Sequence, residues 1–306
     1  MKLLITGATG MIGRKLTKKL LSEDFDIHYL TTVKSKLNNF KGAKGFYWNP
    51  SQDQIDLACF SGVDTIIHLA GSTVSRRWTK SYKEKIYSSR IKSTQILFKG
   101  LKDFKGFHQV KHLVSASAIG IYPSDHNRYF SEESELNPVS FMEKVVFDWE
   151  SEVNSFQSEG VKIVKLRIGL VLSGKGGILA TLKIPIYIGL GAAFGRGKQG
   201  QSWIHVDDLV GIFQKAILDK WDGVFNAVAP NPVNQTKLIS AISQALNKPY
   251  FLPHIPAFLI KIVAGEMSDL ILDSHWITSN KLIDHGYSFQ FIDIQKAINN
   301  IIRLDK

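Results

Sequence analysis

The run Gly7-Ala-Thr-Gly10-Met-Ile-Gly13 stands directly behind the apolar residues Leu3-Leu4-Ile5. It stands directly ahead of a stretch in which Ile12, Leu16, Leu20 and Leu21 recur among lysines and an arginine. A strand, a glycine turn and a helix in that order suit the diphosphate of a dinucleotide. Gly7 permits a tight turn, Gly10 lets the backbone approach the phosphates, and Gly13 lets the helix close on the strand. The helix N-terminus then presents unpaired N–H groups to the anion. Glycines alone also occur in ordinary strand-to-helix turns, so the strand before and the helix after carry the reading.

The rest of the chain repeats this alternation. Leu3 to Thr6, Ile27 to Thr31, Thr65 to Ala70, His112 to Ser117, Ile163 to Ile168 and Val224 to Ala227 are short β-rich runs, mostly apolar on both sides of the pleat. Strands buried on both faces belong to a parallel sheet covered by helices. Met11 to Ser22, Trp78 to Leu101, Phe141 to Phe156, Val206 to Leu218 and Thr236 to Leu246 have helical spacing and supply those helices. The expected fold is α/β, a doubly wound parallel sheet of the Rossmann type with a small C-terminal substrate domain. Residues 1–175 with 203–228 would form the dinucleotide-binding part, and 176–202 with 229–306 the substrate side. Glycines crowd Ser173 to Gly177 and Gly189 to Gly197, which is loop chemistry of the kind found beyond strand ends.

Bulk properties exclude several classes. At 306 residues and 44% hydrophobic, the chain can bury a full core. No apolar run approaches the ~20 residues of a membrane span, since Ile255 to Gly265 is short and interrupted by Lys261. A strand beginning after Lys2 leaves no room for a signal peptide, and the lone Cys59 fits a reducing, cytoplasmic setting. Neither membrane nor nucleic acid is an expected partner. The net charge of +11 is spread along helices with acids interspersed, and is read as solubility plus attraction to an anionic cofactor. The histidines are too scattered for a metal site.

Several motifs together carry a family resemblance. They are the glycine turn, His68-Leu-Ala-Gly71, Arg77-Trp-Thr79, Ser89-Arg-Ile-Lys-Ser-Thr94, Ser115-Ala-Ser-Ala-Ile-Gly120, Arg167-Ile-Gly-Leu-Val-Leu172 and Gln201-Ser-Trp-Ile-His-Val-Asp-Asp208. Phe225 to Pro230 and Gly265-Glu-Met267 extend them over nearly the whole chain. The chain resembles the extended short-chain dehydrogenases/reductases, and among them the NAD(P)-dependent "epimerase family" proteins with a C-terminal extension of their own.

The resemblance implies a nicotinamide dinucleotide held by Gly7, Thr9, Gly10, Met11, Ile12, Gly13, Leu69, Ala70, Gly71 and Ser115. Charge speaks to which one. NAD-binding relatives carry an acid about 20 residues beyond the glycines, for the ribose 2′-hydroxyl. Here Tyr29-Leu-Thr-Thr-Val-Lys-Ser-Lys36 contains none, and Thr31, Thr32, Lys34 and Lys36 suit a 2′-phosphate instead. NADP is therefore favoured over NAD, although relatives usually place an arginine where Thr32 stands. His68 reads as structural.

The Tyr-x-x-x-Lys pair of active relatives is missing. None of the nine tyrosines has a lysine four residues later, and the corresponding segment reads Ser140-Phe-Met-Glu-Lys144. Ser117 and Tyr122 are the remaining candidates for proton transfer. Arg77, Trp78, Gln199, Ser202 and His205 are the expected substrate contacts. Arg90 would support them or pair with Glu84, and Asp207 and Asp208 would complement a helix dipole. The implied activity is that of an oxidoreductase or epimerase on a small hydroxylated or carbonyl substrate, including nucleotide sugars. The alternative is a non-catalytic NADP(H) sensor or scaffold, and helices such as Trp78 to Leu101 offer a homodimer surface.

Overall fold

A computed structural model describes residues 1–104, 108–174 and 176–304. Along the chain it contains β1 (Lys2–Thr6), α1 (Met11–Leu21), β2 (Asp26–Thr31), β3 (Ala43–Asn49), β4 (Gln54–Ile55), β5 (Thr65–His68), α2 (Lys80–Asp103), β6 (His112–Ala118) and β7 (Tyr129–Phe130). There follow α3 (Phe141–Asn154), β8 (Lys162–Ile168), β9 (Leu170–Ser173), α4 (Gly177–Tyr187), β10 (Gly200–Gln201), β11 (Trp203–His205), α5 (Val206–Leu218) and β12 (Gly223–Ala227). The chain ends with β13 (Val233–Asn234), α6 (Gln235–Ala245), α7 (Ala257–Ala264), α8 (Ser268–Leu272), β14 (Trp276–Ile277), α9 (Asn280–Asp284) and α10 (Ile294–Leu304).

Eight strands form the central sheet in the order β12-β8-β6-β5-β1-β2-β3-β4, parallel except for the short edge strand β4. Helices α1 and α5 pack together on one face, and α2 with α3 on the other. The chain reverses its direction of travel across the sheet at β1 and β5, and ligand crevices in such sheets open beyond the strand ends at that point. Strands β1, β5 and β6 are almost wholly buried because Leu3, Leu4, Ile5, Ile66, Ile67, Leu113 and Val114 face helices on both sides. A second buried cluster gathers Leu172, Leu179, Ile186, Trp203, Leu238, Ile242, Ile298 and Ile301 from α4, α6, α10 and the strands beside them. Lys175, the expected boundary residue, lies outside the described residues.

One expected run is shortened and one strand is added. The run from Thr65 leaves the sheet after His68, because Leu69 and Ala70 turn their amides onto the Thr6 hydroxyl, at 3.0 and 3.1 Å. Strand β3 has no counterpart among the apolar runs of the sequence. Its Ala-Lys-Gly-Phe-Tyr-Trp-Asn lies near the sheet edge, with only Phe46 and Trp48 buried, so it lacks a continuous apolar run.

Candidate functional site

The glycine turn has the geometry its residues predict. Gly7 adopts φ +67, and a Cβ there would lie 2.7 Å from the Leu69 carbonyl oxygen. A Cβ on Gly13 would lie 2.2 Å from the Gly7 carbonyl oxygen, so the first turn of α1 closes directly on the loop. Gly10 is the N-cap, no side chain caps α1, and its first turn holds no acid. The helix therefore keeps free amide donors and the positive end of its dipole for an anion.

A crevice of about 550 Å³ opens beside this turn. Gly7, Thr9, Thr31, Thr32, Ala70 and Gly71 line it, together with Lys36, Trp48 to Ser51, Ser72, Lys85, Ser88, Ser89, Lys92 and Ser93. No carboxylate lines it. Gly10, Gly13 and Leu69 shape the turn from beneath, and Ile12 packs into the core. Met11 faces Gly176 and Gly177 across the loop that precedes α4. Lys34 turns away: its ammonium lies 5.3 Å over the Tyr47 ring, and Lys36 takes the lining position. Ser115 is fully buried, with its hydroxyl on the Ala116 carbonyl at 3.0 Å, and lines no part of the crevice. His68 is held between Thr6 and Thr94, at 2.8 and 3.1 Å, and burial lowers its pKa to about 4. It is a neutral structural imidazole.

A second cavity, of about 420 Å³, lies between the start of α3, the strand ends of β6 and β8, and the α4 and α8 regions. Its wall is largely apolar, with Ile119, Met142, Ile168, Leu170, Leu182 and Phe194. Trp78, Tyr122 and Ser202 are lining residues. Trp78 is locked by its indole N–H on the Val74 carbonyl at 2.9 Å and by an edge contact with Phe141. Ser202 donates to the His275 carbonyl and accepts from the Ile277 amide, joining β11 to the C-terminal segment.

The other expected substrate contacts are placed elsewhere. Arg77 is exposed beside Gly265 and does not line the cavity. Gln199 is buried and spends its amide on the Phe194 carbonyl and on Gln235. His205 caps α5, accepting from the Asp207 amide at 3.1 Å, and stacks on Phe291. Burial lowers its pKa to about 4. Asp208 stands in the first turn of α5 as expected, and it also accepts from the Gln290 and Phe291 amides and from the Tyr287 hydroxyl, clamping the C-terminal segment. Asp207 pairs with Lys15 on α1.

Both proton-transfer candidates are engaged in one buried network. Register sets Ser117 of β6, Arg167 of β8 and Asn226 of β12 side by side. Ser117 Oγ donates to Glu150 Oε1 at 2.6 Å and does not line the cavity. The Tyr122 hydroxyl donates to Asn226 Oδ1 and accepts from Arg167 Nη1, each at 2.8 Å. Burial raises the Tyr122 pKa, and the neighbouring Arg167 offsets only part of this, so the phenol is held protonated. Ser140 caps α3 in a capping box with Glu143, while Lys144 faces solvent. The Ser140–Lys144 spacing thus forms no catalytic pair.

Sequence reasoning named Arg90 as a support of the substrate contacts but missed the acids of the cavity itself. Arg90 lines it with its Nη1 on the Ser72 and Ile86 carbonyls and its guanidinium 5.3 Å over Trp149, unconnected to Glu84. Burial lowers its pKa to about 10. Glu143, Asp269 and Asp273 also line the cavity. Burial, with Asp269 and Glu143 nearby, raises Asp273 to about 6. Arg90 stands in the Ser89–Thr94 motif, whereas the three acids lie outside the motifs that carry the resemblance, so no local signal marked them.

Comparison with known proteins agrees with this geometry. The model of the NAD dependent epimerase/dehydratase family matches residues 3–227, and a domain of unknown function, DUF1731, matches residues 255–301. An epimerase family protein of Staphylococcus epidermidis is 34% identical over 301 residues, covering 98% of each chain. A human epimerase family protein solved with NADPH superposes with a TM-score of 0.84 at 24% identity, over 99% of each chain. The UDP-glucose 4-epimerase of Thermotoga maritima, solved with UDP-glucose, does so with a TM-score of 0.80 at 18% identity, over 99% of this chain and 98% of that one. Sequence, fold and glycine turn agree: this chain belongs to the NAD dependent epimerase/dehydratase family.

Proposed function

We propose that the protein is a cytoplasmic, NADP-binding oxidoreductase or epimerase acting on a small hydroxylated or carbonyl compound. The observation that carries the cofactor choice is the crevice wall, where Thr31, Thr32, Lys36, Lys85 and Lys92 meet no carboxylate. A 2′-phosphate adds about two negative charges that an acid would repel and these lysines attract. The NADPH bound by the human relative is consistent with that choice.

A bound nicotinamide supplies the hydride donor or acceptor for such a reaction. The chain's own contribution is the apolar cavity, which limits water, and the groups that hold or move a proton. Ser117 and Tyr122, the candidates left in the absence of the Tyr-x-x-x-Lys pair, are tied to Glu150, Asn226 and Arg167 and serve here as positioning residues. Asp273 lines the cavity and is tuned toward neutrality, so it is the group we assign to proton transfer. The substrate is read as a hydroxylated or carbonyl compound, with nucleotide sugars the class bound by several structural neighbours.

The sensor reading keeps one specific support, the engagement of both hydroxyls in the buried network. One experiment separates the two. Purified protein is titrated with NADPH and NADH, then assayed for NADPH oxidation against sugar nucleotides and small carbonyls. Tighter NADPH binding with turnover lost in Asp273→Asn supports the enzyme; binding without turnover on any substrate supports the sensor. Failure to bind either reduced coenzyme overturns both.

A further inference from the structure

The distribution of acids along the chain is uneven. Of its 27 acidic residues none falls within 160–206 or within 223–265. These stretches include α4, α6, α7 and the loops between them. Their basic residues include Lys183, Arg196, Lys198, Lys237, Lys248 and Lys261.

The same stretches hold much of the exposed apolar surface. Ile184, Tyr187, Ile188 and Leu190 at the end of α4 are 57–69% exposed. Phe251, Phe258, Ile262 and Val263 in and before α7 are 61–76% exposed. They are drawn together through the 193–195 loop, which exchanges backbone hydrogen bonds with Ile255, and through Lys248, whose ammonium lies 4.9 Å over the Tyr187 ring. Leu270 is both 44% exposed and part of the cavity wall, so the patch reaches the cavity rim. At that rim acids return: Glu266 is paired with Lys83 at 2.6 Å, and Asp269 lines the cavity.

We propose that this face docks on a lipid surface bearing anionic headgroups, with the exposed side chains of α4 and α7 in the interface and the cavity rim against it. Apolar residues flanked by lysines and free of acids match such a surface in both respects: the apolar groups enter the acyl boundary and the cations meet the headgroups. A second copy of the chain is disfavoured. A two-fold interface sets the same patch against itself, and here that would bring lysine-bearing segments that contain no acid onto one another. The helices involved are too short to cross a bilayer, and lying on one requires no span. The expectation that a membrane is no partner rests on the missing span, and the proposal needs none.

The test is co-sedimentation of the full chain with phosphatidylglycerol-containing vesicles and with pure phosphatidylcholine vesicles, at about 0.1 M and 0.5 M salt. The proposal expects about ten-fold stronger binding to the anionic vesicles at low salt, weakened at high salt. Ile262→Glu with Val263→Glu, and separately Lys248→Glu with Lys261→Glu, should each reduce it about ten-fold at an unchanged unfolding midpoint. No anionic-vesicle binding, equal binding to both vesicle types, or wild-type binding by both double variants overturns the proposal. So does a dimer in light scattering that Ile262→Glu with Val263→Glu dissociates, since that assigns the face to a second copy. None of these readouts involves a nicotinamide coenzyme, so the result stands apart from the reading of the site.

Discussion

Arg167 and Glu150 form a two-pronged buried pair, with Nε on Oε1 at 2.9 Å and Nη2 on Oε2 at 3.0 Å. Arg167 is 3% exposed and Glu150 7%, so each charge depends on the other to remain inside. Ser117 and Tyr122 add their hydroxyls to the same cluster, joining three strand ends to α3. Burial alone would raise the Glu150 pKa, but the hydrogen bonds and charge of Arg167 outweigh it and the net shift is downward.

Glu150→Ala should therefore destabilise the fold by about 3–5 kcal/mol, because it leaves a buried guanidinium without its counter-charge. Chemical denaturation at neutral pH measures this. A carboxylate with a depressed native pKa contributes stability that is fully present above its unfolded value, near 4.3 in model peptides, and is lost as pH falls through the native one. The cost of Glu150→Ala should thus shrink below about pH 4, and a constant difference between pH 7 and pH 3 would refute the charge argument.

Gly13→Ala tests the turn. Its methyl group would meet the Gly7 carbonyl at 2.2 Å, and the obstacle is backbone, so the loop itself must move. Overpacking of this kind costs about 1–3 kcal/mol. The displacement falls on the amides that face the phosphates, so NADPH affinity, read by fluorescence titration, should drop at least about ten-fold. Gly160→Ala is a control of opposite kind, with φ +70 but open space around it. It should cost stability and leave coenzyme affinity unchanged.

The contrast between those two glycines also explains what the sequence disclosed. The Gly7–Gly13 turn, the buried strands and the amphipathic helices are local patterns, each contained in a few consecutive residues, and Val206–Leu218 matches its expected bounds. The polar network could not be read in that way. Glu150, Arg167 and Asn226 come from α3, β8 and β12, and only the strand register brings them together. The same is true of Asp208, a first-turn acid by sequence whose partners lie about 80 residues away at Gln290 and Phe291. Ser117 and Tyr122 were visible as residues but not as hydroxyls already committed.

Coenzyme choice should respond to Lys36 rather than Lys34. Lys36 lines the crevice, whereas Lys34 sits over the Tyr47 ring. A hydrogen bond to a charged group contributes about 1.5–3 kcal/mol, so Lys36→Ala should weaken NADPH by about ten-fold or more and leave NADH nearly unchanged. Lys34→Ala should move both little. Equal losses for NADPH and NADH in Lys36→Ala would show that the lysine does not meet the 2′-phosphate.

Asp273 offers the clearest pH signature. Burial raises its pKa to about 6, with Asp269 and Glu143 adding repulsion and a bond to Ser124 working against them. A carboxyl whose native pKa lies above its unfolded value favours the folded state while protonated, and that advantage is lost as pH rises from about 4 through about 6. Asp273→Asn removes the titration, so it should stabilise the protein by about 1 kcal/mol at pH 8, after discounting for solvent screening, and have little effect at pH 4. Thermal unfolding across that range measures the difference, and carbon-13 resonances of the carboxyl groups give the midpoint directly. A midpoint near 4 would place Asp273 in water rather than in the cavity wall, and would remove it as the group that exchanges a proton with substrate.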